Sequence, residues 1–200
     1  MLAGLLVALL AATPGGDASL EQVAAALRHA PCWHSEFTQR YVPAGFETGA
    51  SERGTLIVAF PARLRFDYAA PASRVFATDG AIARHVDPLA GSCTAVRLDA
   101  GTWGRLPLAA ILDPGAARAA FAVAVTGRTM GLTALEPTPE LASIEVVVDG
   151  NGLPWRVSVI DGSGNRNEFT FTSWKAYSEP AADLFRPALP GAQPCSPDEG

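Results

Sequence analysis

Residues 60–71 read FPARLRFDYAAP, and this stretch decides the fold class. Between its two prolines, the apolar residues Leu64, Phe66 and Tyr68 alternate with charged residues. Alternation with a period of two predicts an extended strand that has one apolar face and one charged face. The pattern alone leaves open whether the apolar face closes a hydrophobic core or lines a binding site.

The same period of two recurs along most of the chain. Short segments that contain proline, glycine or Asp-Gly separate the alternating stretches, as turns do. Parallel strands need crossovers of about a dozen or more residues, so these short connections predict an antiparallel meander. The predicted strands cover residues 33–42, 53–60, 62–68, 73–80, 81–86, 94–100, 121–127, 131–137, 143–150, 153–162 and 165–174.

Three short helices complete the pattern. Residues 19–30 carry Ser19 as an N-cap candidate, followed by apolar residues at helical spacing. The Ala- and Leu-rich block 102–120 predicts two further helices, over Leu108–Leu112 and from Pro114 onward. The predicted fold class is therefore mainly β, of the α+β type, with about eleven antiparallel strands. Three short helices cover one apolar sheet face only in part, which favours a pocket for an apolar ligand.

The composition predicts one domain and argues against nucleic acid as a partner. The 200 residues are 48% hydrophobic and 18% charged, which suits one sizeable core and would be crowded for two domains. The formal net charge is -5, and the sequence lacks the basic stripe that binds phosphate backbones.

The motifs of common enzymes and metal sites are missing from the sequence. There is no G-x-S-x-G, and the histidines and cysteines have none of the spacings of metal ligands. His85 with Asp79 and Asp87 is the remaining acid/base candidate. Because Asp79-Gly80 and Asp87-Pro88 are turn sequences, we expect both carboxylates to lie in solvent. The missing motifs therefore argue against an extracellular hydrolase and against a metal site.

The first 18 residues predict a cleaved export signal. Their apolar run, Leu2–Ala12, is shorter than the roughly 20 residues that span a bilayer and is followed by Pro14 and two glycines. A buried N-terminal helix or strand is the alternative interpretation of this run.

The three cysteines are compatible with one disulfide in an exported protein. The C-terminal tail, residues 192–200, has a Pro, Gly and acidic composition that gives it no reason to order by itself. A disulfide between its Cys195 and Cys93, in the turn-like sequence GSCT, would tether it. Cys32 is then a small buried residue. Three free thiols remain the alternative.

Several segments, taken in order, resemble the LolA family of periplasmic lipoprotein carriers, with which the outer-membrane receptor LolB shares its fold. The resemblance covers residues 19–191 and implies one domain, an open antiparallel half-barrel of about eleven strands covered by about three short lid helices. The segments are HSEFTQRY (34–41), RGTLIVAFPARLRFDYAAP (53–71), TDGAIARHVDP (78–88), LPLAAIL (106–112), LEP (135–137), EFTFTSW (168–174) and LFRPALPG (184–191).

The same resemblance implies a function and a binding site. The protein would be a periplasmic monomer that binds acyl chains of lipoproteins or other lipids, receives them from an inner-membrane releasing transporter and passes them to an outer-membrane receptor. A lipid-sensing or interaction domain on the same fold is the alternative function. The implied cavity has a floor of Phe37, Leu56, Val58, Phe60, Leu64, Phe66 and Tyr68 and a lid of Leu108, Ile111 and Leu112.

Two observations bear on whether the implied cavity exists and how its lid is held. Apolar residues on a sheet face pack on one another more often than they contact a ligand, so the floor residues also fit an ordinary core. The family's carriers have an arginine immediately before the first proline of the 60–71 stretch, where it is thought to hold the lid. Here that position is Phe60, so either apolar contact alone holds the lid or the protein is a divergent member of the family with another cargo.

Overall fold

The computed structural model describes residues 15–99, 106 and 108–197, and its main element is one 11-stranded antiparallel sheet. The first six strands form a meander in the N-terminal half, and the last five form a second meander. The strands are β1 (Cys32–Val42), β2 (Ala50–Ala59), β3 (Arg63–Ala70), β4 (Arg74–Thr78), β5 (Ile82–Asp87), β6 (Ser92–Arg97), β7 (Phe121–Thr126), β8 (Thr129–Thr138), β9 (Leu141–Val148), β10 (Pro154–Ile160) and β11 (Arg166–Tyr177).

The order of strands in the sheet is β6-β5-β4-β3-β2-β1-β11-β10-β9-β8-β7. The two meanders meet where β1 pairs with β11, and the edges of the sheet are β6 and β7. Strands that are adjacent in the sheet are therefore consecutive in sequence except at this central pair, and the consecutive strands β6 and β7 lie at opposite edges. The predicted open, eleven-stranded antiparallel sheet is confirmed.

Within the described residues, three α-helices accompany the sheet: α1 (Gly15–Arg28), α2 (Ala109–Leu112) and α3 (Pro114–Ala120). The side chain of Asp113 accepts a hydrogen bond from the backbone N–H of Ala116 at 3.0 Å, which caps α3 at its N-terminus. Within the described part of the chain, no helix has both the length and the apolar character needed to cross a membrane.

The start of α1 corrects one prediction. The helix begins at Gly15, so Ser19 lies inside it and is not its N-cap. The segment 15–18 contains no proline that would stop the helix from extending in this direction. Most of the predicted export signal, residues 1–14, lies outside the described residues, and the signal stays a prediction.

The two faces of the sheet have different partners. The helices lie on one face, here called the inner face, and a single large cluster of apolar side chains fills the space between them. On the outer face, residues 178–197, here called the C-terminal strap, run back across the N-terminal meander. The strap contains a 3-10 helix (Ala182–Phe185), and its Phe185 is fully buried against Cys32 and Ala59.

Polar contacts and a disulfide fix the strap to the outer face. Arg65 donates a hydrogen bond to the backbone carbonyl of Leu184 at 2.6 Å, and Arg84 donates one to the carbonyl of Cys195 at 3.0 Å. A disulfide joins Cys195 to Cys93 on the edge strand β6. The C-terminal tail is therefore connected to the sheet up to residue 195.

Asp79 does not lie in solvent, which corrects another expectation. Its carboxylate forms ion pairs with Arg84 at 3.2 Å and with Arg186 of the strap at 3.1 Å. Burial opposes its ionisation, but hydrogen bonds from the backbone N–H groups of Ile82 and Ala81 and from Arg84 outweigh burial and lower the pKa of Asp79. The Asp-Gly turn was predicted correctly, but the arginine of the strap lies far away in sequence and gives no local signal.

Candidate functional site

The inner face carries a continuous set of aromatic rings, here called the aromatic floor. Phe37 is its centre, with ring centroids at 5.1 Å from Tyr68, 5.3 Å from Phe66 and 6.2 Å from Phe169. Such distances are typical of favourable aromatic pairs. The floor extends through further ring contacts to Phe76 on one side and to Phe171, Trp174 and Trp33 on the other.

The lid over this floor is built from α1 as well as from α2 and α3. Leu20, Val23 and Leu27 of α1 are buried in the same apolar cluster as the α2 residues Ile111 and Leu112. The spacing of the α1 residues predicted an amphipathic helix, but periodicity does not say which surface a helix covers.

The ten residues predicted to line the cavity all belong to this cluster. Phe60 and Tyr68 are partly buried against it, and the other eight are buried within it. Sequence analysis missed one aromatic residue at the start of β1 and the floor residues on β4 and β11, although the alternation in EFTFTSW signalled an apolar face on β11. The missed aromatic residues are Trp33, Phe76, Phe169, Phe171 and Trp174.

The lid covers the floor unevenly. The close backbone contacts of α1 and α3 with the sheet are made to β7 and β8, in the C-terminal meander. Three floor residues on β3, β4 and β11, Tyr68, Phe76 and Phe169, keep part of their surface exposed, and so do Trp33 and Trp174. The floor is therefore incompletely covered around these rings.

Two clefts flank the C-terminal end of α1. One has a volume of about 470 Å³ and lies between Arg28, Phe60, Pro61 and Leu112. The other, of about 430 Å³, lies between Ala26, His29, Trp33, Asn151 and Leu153. The end of α1 is thus accessible on both sides, where the lid meets the sheet.

Hydrogen bonds tie this end of α1 to its neighbours. Arg28 donates from Nη2 to the backbone carbonyl of Leu112, the last residue of α2, at 3.0 Å. The indole N–H of Trp33 donates to the carbonyl of Leu27. Within the described residues, Arg28 of α1 is thus an arginine that holds the backbone of α2, whereas Phe60 precedes the first proline of the 60–71 stretch.

We expect the substitution Arg28→Met to loosen α2. The variant keeps an unbranched apolar side chain but loses the hydrogen bond to Leu112, which we expect to cost about 0.5–1.5 kcal/mol. Hydrogen exchange of the amides of Ala110, Ile111 and Leu112 should become faster. As a control, Arg156→Met removes an ion pair with Glu145 on the outer face and should leave these amides unchanged. Unchanged exchange in both variants would contradict the role of Arg28.

The described residues offer little for catalysis at this site. No group of three or more His, Cys, Asp or Glu side chains within residues 15–99, 106 and 108–197 could hold a metal ion. Asp87 accepts hydrogen bonds from the backbone N–H groups of Leu89 and Ala90 in a turn, and Asp79 is paired with arginines. Burial raises the pKa of the Cys32 thiol, which disfavours the reactive thiolate.

Comparison with known proteins identifies a family and a fold. The family model described as "Outer membrane lipoprotein carrier protein LolA" matches residues 28–188. A protein of Xanthomonas axonopodis pv. citri (strain 306), named outer-membrane lipoprotein carrier protein, is 29% identical over 157 residues, which are 76% of this chain and 75% of the relative.

Two solved structures share the fold. An uncharacterized conserved protein from Thermus thermophilus aligns with a TM-score of 0.55 and 10% identity over 88% of this chain and 95% of that chain. MucB aligns with a TM-score of 0.52 and 16% identity over 88% of this chain. The alignment covers 64% of MucB, so this chain spans less than two thirds of it. At these identities the likeness concerns the fold alone.

Proposed function

From the premise that the chain belongs to the LolA family of outer membrane lipoprotein carrier proteins, we propose that it carries acylated lipoproteins, or related lipids, through the periplasm. The acyl chains bind between the aromatic floor and the helical lid, among the ten predicted residues. An inner-membrane transporter supplies the cargo and an outer-membrane receptor accepts it. The protein acts as a monomer, without a cofactor and without catalysis.

The incomplete cover of the aromatic floor is the observation that carries this proposal. Tyr68, Phe76 and Phe169 are packed on other rings yet keep exposed surface, while the close backbone contacts of α1 and α3 with the sheet are made to β7 and β8. A floor that served only as a core would be covered more completely, since exposed aromatic surface is unfavourable in water. A partly covered floor offers an acyl chain apolar surface without requiring the whole lid to leave.

The energetics of transfer fit a lid that is held weakly. Burial of an acyl chain is worth about 0.8 kcal/mol per methylene, so a lipoprotein in water faces a cost on the order of tens of kcal/mol. A carrier that recovered all of this free energy would not release its cargo. A lid tied by few hydrogen bonds, such as that of Arg28 to Leu112, supports binding with partial burial and subsequent release.

The proposal also includes the ends of the chain. The binding domain covers residues 19–191, after removal of residues 1–18 as an export signal. The tail, residues 192–200, is tethered by the disulfide between Cys93 and Cys195. The oxidising periplasm is the compartment in which such a bond persists.

A pair of adjacent substitutions tests the binding site. Phe76 lies on the inner face of β4, whereas its neighbour Val75 points to the outer face, and both are partly exposed. Phe76→Glu places a carboxylate beside the acyl chain, where desolvation is costly, and should weaken binding of a fluorescent acyl probe by about tenfold or more. Val75→Glu should leave binding within about twofold.

Native mass spectrometry identifies the cargo. We expect protein purified from its own envelope to carry a lipid or an acylated peptide, and we expect Phe76→Glu to carry much less of it. Equal probe affinity for Phe76→Glu and wild type, with both proteins folded, would show that the acyl chain does not bind on the aromatic floor.

A further inference from the structure

A band of polar side chains crosses the inner face at one end of the aromatic floor. Tyr68 donates from its hydroxyl group to Oε1 of Gln39 at 2.6 Å, and Gln39 donates from Nε2 to Oδ1 of Asn167 at 2.8 Å. Beside them, Arg74 and Glu52 form two parallel hydrogen bonds of 2.6 and 2.5 Å. These five residues, here called the polar band, come from five adjacent strands, β4, β3, β2, β1 and β11.

Side chains alternate between the two faces of a strand, which explains why the polar band borders the aromatic floor. On four strands, the polar residue lies two positions from a floor aromatic and therefore on the same face. The pairs are Gln39 with Phe37, Tyr68 with Phe66, Arg74 with Phe76, and Asn167 with Phe169. The remaining member, Glu52, is the β2 partner of Gln39 in the register of the sheet. The inner face thus changes from apolar to polar along one line.

The charges of the band cancel within it. The guanidinium of Arg74 contacts the carboxylate of Glu52 in a bidentate ion pair and lies 4.0 Å above the ring centroid of Tyr68. Burial raises the pKa of Tyr68 to about 12, so its hydroxyl group is neutral at physiological pH. The charge of the guanidinium is therefore already balanced by one carboxylate, so it attracts a second anion less strongly than an unpaired arginine would.

Amide groups provide the remaining hydrogen-bonding capacity of the band. A side-chain amide nitrogen can donate two hydrogen bonds. Within the described part of the chain, Gln39 uses one of these and Asn167 uses neither. Both side chains are partly exposed. Neutral N–H donors next to an apolar floor suit a carbonyl oxygen at the end of an acyl chain, as in an ester or an amide.

We propose that the polar band binds the uncharged ester or amide group of an acylated ligand and selects such ligands over acyl chains that end in a carboxylate or a phosphate. This inference rests on the proposed function, because it requires an acyl chain on the floor. The chain is anchored by the aromatic rings, and its carbonyl group accepts hydrogen bonds from Gln39 and Asn167. An anionic end group meets the carboxylate of Glu52, and Arg74, the cation of the band, is already paired with that carboxylate, so such a group is disfavoured.

Matched ligands test the selection. Myristamide and myristate share a fourteen-carbon acyl chain, about the length of a natural fatty acid, and differ in the end group, which is a neutral amide or a carboxylate. Both are titrated in competition with a fluorescent acyl probe at neutral pH. We expect wild-type protein to bind the neutral amide about tenfold more tightly than myristate.

Two variants test whether the polar band causes the preference for the neutral amide. The double variant Gln39→Leu/Asn167→Leu should bind the amide about fivefold more weakly than wild type and myristate about equally, because only the amide loses hydrogen bonds. Glu52→Gln frees the guanidinium of Arg74 and should strengthen binding of myristate about threefold or more. Thr38→Val, one residue from Gln39 on the outer face, is the control and should change neither affinity.

The outcomes separate the two proposals. Equal affinity of wild type for both ligands, or a preference that survives in both band variants, would overturn the role of the polar band and leave the proposed function intact. Failure of wild type to bind either ligand or the probe would overturn the proposed function, and the band inference with it. If the double variant does not fold, Glu52→Gln alone decides, since an unchanged affinity for myristate contradicts the inference.

Discussion

Replacing Phe37 by alanine is expected to lower the free energy of unfolding by about 3–5 kcal/mol. Only 3% of Phe37 is exposed, and its ring contacts those of Phe66, Tyr68 and Phe169. Truncation leaves a cavity where the two halves of the sheet meet, and the antiparallel strands around it leave little freedom to collapse into the space. Urea unfolding followed by circular dichroism measures the change.

A second aromatic residue of β1 provides the control for this prediction. Tyr41 lies four positions after Phe37 and on the same face of the strand, but 44% of it is exposed. Tyr41→Ala should change the free energy of unfolding by less than about 0.5 kcal/mol. A loss at Phe37 no larger than that at Tyr41 would mean that the aromatic floor does not act as a core.

Breaking the disulfide between Cys93 and Cys195 is expected to destabilise the protein by about 2–4 kcal/mol. The two cysteines are 102 positions apart, so the bond closes a long loop and strongly restricts the unfolded chain. The double variant Cys93→Ser/Cys195→Ser removes the bond. Thermal unfolding with and without a reducing agent measures the loss.

Chemical reduction of the disulfide in the wild-type protein is the control for this prediction. We expect a reducing agent to lower the melting temperature of wild-type protein to nearly that of the double variant, and to leave the variant unchanged. Cys32 is a free, buried thiol and should not contribute. A wild-type melting temperature that does not respond to full reduction would contradict this prediction.

The strands and the turns between them were predictable because their signals are local. Asp149-Gly150 and Asp161-Gly162 predicted two hairpins, and both connect antiparallel neighbours. The carboxylate of Asp149 accepts hydrogen bonds from the backbone N–H groups of Asn151 and Leu153, a contact within one turn. Residues that determine such a turn are all present in a few consecutive positions.

Sequence patterns could not predict the contacts between distant segments of the chain. Arg28 is hydrogen-bonded to a carbonyl 84 positions later, and Arg186 pairs with an aspartate 107 positions earlier. Periodicity says which face of an element is apolar, but it does not say which element covers that face. For this reason the floor on β1–β3 was found, whereas the contribution of β11 and α1 to the site was not.

The pairing of β1 with β11 affects how the chain folds. Gln39 is bonded to Asn167, 128 positions later, so β1 has only β2 as a neighbour until nearly the whole domain is available. Contacts of such long sequence separation form slowly, and an unpaired strand edge is a template for association with other chains. The last strand to join closes the middle of the sheet rather than its rim, and until then the free edge of β1 is a site for misassembly.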